Sequence, residues 1–335
     1  MTSVRRKLLS VHHLSMDFPQ QHSVLNVLND ISFDVYQGET LGLVGESGCG
    51  KTTLGRCLMR MYQPTRGSVL YQPDDHSEAV DLCKVNGAAL RQTHRQIRMV
   101  FQDPWSSLNP RMTVFDIIAE PLKNQRPRMA RSEMEDRVAS MMLRVGLRPE
   151  LMSRYPYAFS GGQRQRVGIA RALVVEPRLV VADEAVSALD VSIRAQILNL
   201  LADLKEELNL TYIFISHDLG VVRHICDRVA VMYAGELVEL ADTNQLYGSP
   251  GHPYTEALIS AVPRPDPRLR SAGSQRKILR GEVPDVAHRP TGCVFHPRCL
   301  YASEACRTDA PELGADHEQH LARCLRRDEL TLTGV

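Results

Sequence analysis

Between Leu41 and Tyr62 the chain reads LGLVGESGCGKTTLGRCLMRMY: a short apolar run, a glycine-rich turn and a helical pattern in direct succession. The turn GESGCGKT, Gly45 to Thr52, has the spacing G-x-x-x-x-G-K-S/T. Gly45, Gly48 and Gly50 let the backbone curl so that successive N–H groups point inward, and the helix that follows adds the positive end of its dipole. Such a cradle takes phosphate oxygens. Lys51 is placed to reach β- and γ-phosphates, and the Thr52 hydroxyl to ligate Mg2+. The plain alternative is a turn and nothing more, but strand, Lys and Thr all stand where the phosphate reading needs them.

The loop demands a strand before it and a helix after it, so it commits the chain to an α/β fold. IRMVFQ, RLVVADE and TYIFISH are further apolar runs separated by helical patterns, which predicts a largely parallel sheet. LLSVHHLSMDF and VLNDISFDVYQGET alternate roughly and predict antiparallel strands joined by the turn PQQHS. From about residue 103 to 160 strand-like runs give way to a helical insertion. There Ser132 and Glu135 form a Ser-x-x-Glu capping pattern, and Met134, Val138, Met141 and Val145 recur at helical spacing, a stripe read as core packing. RVAVMYAGELVELA predicts a hairpin turning at Ala234-Gly235, and the Pro-, Arg- and Gly-rich residues 263–290 read as a linker.

Two more stretches carry chemistry. RLVVADEAVSALD puts Asp183 and Glu184 at the C-terminal end of an apolar strand, where ligands bind in open α/β sheets. Asp183 would hold Mg2+, directly or through water, and Glu184 would polarise an attacking water; a pair of solvated loop carboxylates is the alternative. FSGGQRQRVGIARALVV offers Ser160 as an N-cap, then two glycines and an unbroken helix, an anion site made of bare N–H groups. Arg164 and Arg166 are read as surface or intrachain pairing groups rather than phosphate ligands.

Composition adds limits. The 335 residues are 43% hydrophobic and 24% charged with a net charge of +1, which allows one large domain with an appendage, or two, and gives no whole-chain case for nucleic acid or an anionic membrane surface. No run of 18 apolar residues is present, and the N-terminal stretch lacks the apolar core and cleavage site of a secretory signal.

With these motifs in order, the chain resembles the ATP-binding subunits of ABC transporters over residues from about 8 to 245. The resemblance implies an α/β P-loop NTPase core with an antiparallel β subdomain and a helical insertion, plus a small irregular C-terminal tail domain: residues 1–248 and 249–335. It implies that Phe18 stacks on adenine, that Gly45, Glu46, Ser47, Gly48, Cys49, Gly50, Lys51, Thr52 and Thr53 bind the phosphates as the Walker A loop, and that Gln102 in VFQDP is the Q-loop residue contacting Mg2+ or water. Ser160, Gly161, Gly162 and Gln163 are the signature, Asp183 and Glu184 the Walker B pair with Glu184 the catalytic base, Asp190 the end of the SALD D-loop, and His217 in ISHD the switch histidine. Ala185 follows Glu184 where the family often has Pro; with both carboxylates intact the chain is expected to hydrolyse ATP.

In this family the signature caps ATP held by a partner, so a second, homologous ATP-binding subunit is implied, forming a heterodimer. Two transmembrane permease subunits and an extracytoplasmic solute-binding protein are implied as well, with the chain peripheral at the cytoplasmic face of the inner membrane and no nucleic-acid partner. QDPWSSLNPRMTVFDIIAEPL is expected to form part of the permease docking groove, with Trp105 and Leu108 as contacts or as core. SPGHPYTEALISAVPRPDP resembles the tail of the dipeptide/oligopeptide importer branch, which includes nickel importers. The alternatives are a soluble ABC ATPase acting on ribosomes or DNA, and a redox-sensing regulator.

Eight cysteines are present. Cys49, Cys57, Cys83 and Cys226 are scattered and read as free thiols. Cys293, Cys299, Cys306 and Cys324 have the spacing C-x5-C-x6-C-x17-C, without the tight pairs of zinc ribbons. Four thiolates can hold a 4Fe–4S cluster, and members of the branch carry a similar motif that in some does so. A cluster that staples a small tail is the expectation, with zinc or incidental thiols as alternatives, and His296 as a substitute ligand.

Overall fold

The computed structural model describes residues 5–20, 24–74, 77–103, 105, 107–125, 129–262, 277–279, 281–282, 284, 289–315 and 320–334. β1 (Lys7–Pro19) and β2 (Val24–Tyr36) pair antiparallel, Val11 opposite Phe33 and Phe18 opposite Leu25. The turn expected between them includes 21–23, which lie outside the described residues. β3 (Thr40–Val44) then runs straight into the glycine-rich turn and α1 (Lys51–Leu58). β4 (Arg66–Tyr71) and β5 (Val80–Asp81) complete a four-stranded sheet of order β2-β1-β4-β5. α2 (Gly87–Gln96) leads to β6 (Ile97–Val100).

The insertion follows as α3 (Val114–Gln125) and α4 (Arg131–Arg144). The expected cap at Ser132 is not formed: Ala130 is the extended N-cap residue, Ser132 lies inside the first turn, and Glu135 instead accepts from the Arg131 guanidinium at 2.8 Å. Val138, Met141 and Val145 are buried and Met134 packs against them, so the stripe is core. α5 (Gly161–Leu173), β7 (Leu179–Asp183), α6 (Val191–Leu208), β8 (Thr211–Ile215) and α7 (Leu219–Ile225) alternate in α/β fashion. β9 (Arg228–Tyr233) and β10 (Glu236–Asp242) form the predicted hairpin, with Ala234 and Gly235 at φ 47° and 79°, the two positive values that a tight two-residue turn requires.

After α8 (Thr243–Gly248) and α9 (Pro253–Ser260), most of 263–290, the expected linker, lies outside the described residues. The tail ends with α10 (Ala305–Thr308), β11 (Gly314–Ala315) and β12 (Leu321–Ala322). β12 pairs antiparallel with β10, so the tail extends an eight-stranded sheet of order β11-β12-β10-β9-β3-β8-β7-β6, parallel from β9 to β6.

This sheet lies between two apolar layers. Val180 and Ala182 face the helices, while Leu179 and Val181 face the smaller sheet; Phe214 and Ile213 divide in the same way. Side chains on a strand alternate between faces. A strand apolar at every position therefore belongs in the middle of such a stack, and β3, β7 and β8 are buried throughout. Their carboxyl ends open together on one edge.

Candidate active site

β3 delivers the chain into a turn in which Gly45, Gly48 and Gly50 have φ of 151°, 82° and 104°. A Cβ at Gly45 would stand 2.2 Å from the Met232 carbonyl oxygen, so the turn passes β9 too closely for any side chain. Lys51, buried, folds back over the turn and donates from Nζ to the carbonyl oxygens of Gly45 at 2.7 Å and Glu46 at 2.9 Å. Cys49 is buried beside it, and burial pushes its thiol pKa up. Ser47 is exposed within the turn, and Thr53, in the first turn of α1, is partly buried.

Two strands away, β7 ends at Asp183, whose carboxylate accepts from the Thr52 hydroxyl at 3.1 Å. Burial, above all, raises the Asp183 pKa, and the Glu184 charge acts in the same direction. A hydroxyl and a buried carboxylate joined in this way form an oxygen donor pair of the kind a hard divalent cation takes.

Glu184 has φ 45°, a conformation L residues rarely adopt, and its N–H donates to the Ile215 carbonyl at the end of β8. Its carboxylate meets two partners. The Gln102 amide, just past β6, donates to one oxygen at 2.7 Å, and Nδ1 of His217, just past β8, lies 3.2 Å from the other. The ends of three adjacent strands thus converge on one carboxylate. A carboxylate held from both sides is oriented for general-base work on a water. Ser187 ties the following turn to it, donating from its hydroxyl to the Glu184 carbonyl at 3.0 Å.

Ser160 and Gln163 form a complete capping box at the start of α5: the Gln163 N–H donates to the Ser160 hydroxyl and the Ser160 N–H to the Gln163 side chain at 3.0 Å. Gly161 follows, and Gly162 packs so closely on α6 that a Cβ there would be 2.6 Å from Ile193 Cγ2. Asp190 is the exposed N-cap residue of α6. Among the described residues no hydrogen bond joins the Ser160–Gln163 turn to the glycine-rich loop of the same chain. Arg164 and Arg166 are spent within the chain, donating to the carbonyls of Pro156 at 2.7 Å and Val145 at 2.6 Å. Leu108 is core, whereas Trp105 is 64% exposed and covered on one face by the Arg164 guanidinium. Phe18 meets Tyr62 edge-on, ring centroids 5.4 Å apart.

Sequence reasoning missed three residues of this region. Tyr62 neighbours Phe18. Tyr254 accepts from the Glu46 N–H at 2.9 Å, and Arg298 donates to both Glu46 carboxylate oxygens at 2.6 and 3.1 Å. The latter two lie 208 and 252 residues from Glu46, and no local spacing signals such contacts.

The side chains of Cys293, Cys299, Cys306 and Cys324 line one small pocket with Phe295 and His296. Burial pushes the Cys293 and Cys299 thiols up to about 11. His296 directs Nδ1 to the Cys293 carbonyl rather than to a shared centre. Among the described residues no three His, Cys, Asp or Glu side chains are arranged to hold a metal ion, so the expected metal centre has no support in this geometry. All eight cysteines are free of disulfides.

The ABC transporter family model matches residues 28–187, and that of the oligopeptide/dipeptide transporter C-terminal region matches 238–306. The chain is 46% identical to the oligopeptide transport ATP-binding protein OppF of Haemophilus influenzae, over 95% of this chain and 97% of that protein. It is 49% identical to AppF of Bacillus subtilis, with the same description, over 92% of this chain and 91% of that one. A dimeric ATP-binding cassette in a post-hydrolysis state, bound to ADP and Pi, superposes with TM-score 0.63 at 26% identity, over 70% of this chain and 99% of that one.

Proposed function

The chain belongs to the ATP-binding subunits of ABC transporters, in the oligopeptide/dipeptide branch, and from that premise we propose that it couples ATP hydrolysis to the uptake of peptides or a related solute through separate membrane subunits. It is an ABC ATPase. The observation that carries the site assignment is the meeting of Gln102 and His217 on Glu184 beside the Thr52–Asp183 pair.

In this reading Phe18 stacks on adenine, the N–H groups of 45–53 and Lys51 bind the phosphates, and Thr52, Asp183 and Gln102 hold Mg2+. The cation, when bound, neutralises charge on the β- and γ-phosphates. Lys51 moves its ammonium from the Gly45 and Glu46 carbonyls to phosphate oxygens. Glu184 orients the water for in-line attack, and His217 leaves the carboxylate to donate to the γ-phosphate. The Ser160–Gln163 turn and Asp190 face ATP held by a second, homologous ATP-binding subunit.

Two permease subunits and an extracytoplasmic binding protein complete the proposed assembly, with the chain peripheral at the cytoplasmic face of the inner membrane. No helix among the described residues is long and apolar enough to cross a membrane. A cavity of about 540 Å³, lined by Arg91, Arg98, Phe101, Glu120 and Arg171 and so touching the end of the expected docking segment at Glu120, supports docking of a permease segment there. The relatives named above are oligopeptide transport ATP-binding proteins, which favours uptake over action on ribosomes or DNA.

Glu184→Gln tests the site. It should keep ATP binding and trap a closed pair of subunits while turnover falls at least about 100-fold; wild-type turnover would remove Glu184 from the role of base. For the tail we propose that the four cysteines hold a 4Fe–4S cluster. The support is that the four cysteines line one small pocket, and four thiolates are the ligand set such a cluster takes. Iron and sulfide should be found in anaerobically purified protein; zinc alone, or no metal, would overturn this.

A further inference from the structure

The second residue of the phosphate loop, Glu46, is gripped at all three of its polar groups. Its carbonyl accepts from Lys51, its N–H donates to the Tyr254 hydroxyl, and its carboxylate accepts both arms of Arg298. Two of these three partners come from beyond residue 248. Arg298 lies in a short 3-10 turn, His296–Arg298, between Cys293 and Cys299. It is 7% exposed, and its guanidinium also donates to the Tyr233 hydroxyl at 3.4 Å. The Tyr233, Tyr254 and Phe295 rings pack on one another with centroids 4.7 to 5.4 Å apart, and the Arg298 guanidinium lies 5.8 Å from the Tyr233 ring centroid, against this cluster.

The arrangement has a chemical purpose. A carboxylate in the wall of a site built for a triphosphate repels its ligand unless another charge neutralises it. Arg298 supplies that charge through a two-point fork, which also fixes the direction of the side chain. The same grip fixes the Glu46 carbonyl on which Lys51 rests.

We propose that Arg298 is a positioning residue for ATP binding: from the cysteine-bearing tail it neutralises and orients Glu46, and through it sets the phosphate loop. This rests on residues 45–52 being that loop. The tail is thereby a working part of the nucleotide site, and disturbance of its fold is read as loss of nucleotide affinity.

The test uses the full chain, a fluorescent non-hydrolysable ATP analogue, and steady-state ATPase assays with the partner subunits. Arg298→Met should raise the dissociation constant and KM about 10-fold with kcat changed less than about twofold. Glu46→Gln removes the carboxylate charge, so adding it to Arg298→Met should return affinity to within about twofold of Glu46→Gln alone. Arg298→Lys, which keeps the charge but loses the fork, should fall between wild type and Arg298→Met. Unchanged affinity in both Arg298 variants overturns the proposal, as does an equal loss with and without Glu46→Gln. Should Arg298→Met not fold, the Arg298→Lys series decides by the same criterion. Lys51→Ala separates the premises: if it retains affinity, the loop assignment falls; if it loses affinity while the Arg298 variants do not, only the role of Arg298 falls.

Discussion

Phe295→Ala offers a quantitative test of how the tail is built in. Phe295 is 1% exposed, and its ring lies 5.1 Å from Tyr233, 5.4 Å from Tyr254 and 5.5 Å from His252. Removing a buried phenyl group costs about 3–5 kcal/mol in transfer and cavity terms. Aromatic contacts of this kind add about 0.5–1.5 kcal/mol, part of which is already counted. A loss of about 4 kcal/mol is therefore expected if the surrounding tyrosines keep their hydrogen bonds and the site does not collapse. Guanidinium titration should be followed by far-ultraviolet circular dichroism and by fluorescence of the single tryptophan, Trp105, which belongs to the insertion. Since Phe295 packs in the same apolar cluster as the insertion helices, both signals should move together to a lower midpoint with an unchanged slope. A loss below about 1 kcal/mol, or a Trp105 transition that stays in place while another moves, would refute the idea of a shared core.

Gly162→Ala should destabilise by about 1–3 kcal/mol because its Cβ would lie 2.6 Å from Ile193 Cγ2, and Ile193→Ala should recover part of the loss in thermal melts; equal stability would refute the close contact. Ser160→Ala removes a capping box and should cost about 1 kcal/mol, read by the same melts. Burial pushes the Cys57 thiol up to about 12, so at pH 8 only about one molecule in ten thousand carries the thiolate. Iodoacetamide should therefore label Cys57 only after unfolding, and stoichiometric labelling of folded protein, read by peptide mass, would contradict its burial.

The parts of the fold that could be read from the chain are those with a local signature. β3, β7 and β8 are short, nearly unbroken apolar runs, and the Ala234-Gly235 turn lies between two apolar strands of six and seven residues. β5, β11 and β12 have two residues each, too few for any period to show, and exist because a neighbouring strand is in place to pair with them. Ser132 misled because a capping pattern states only that a cap is chemically available, while the backbone turned into the helix earlier and gave Glu135 to Arg131. At the site, Lys51, Asp183 and Glu184 announce themselves by spacing. Tyr254 and Arg298, the partners of Glu46, do not, since an ion pair across 252 positions depends on how the whole chain closes.

β12 is short, but it occupies the flank of β10 at Glu239 and Leu240. An unpaired strand flank is a template for a foreign chain, and proteins that leave one bare invite self-association. A version of this molecule ending at residue 248 would strip that cover, and would be expected to scatter light and precipitate as its concentration rises. The last stretch of the polypeptide thus acts as a selvedge, finishing the fabric so that it does not knit onto its neighbours.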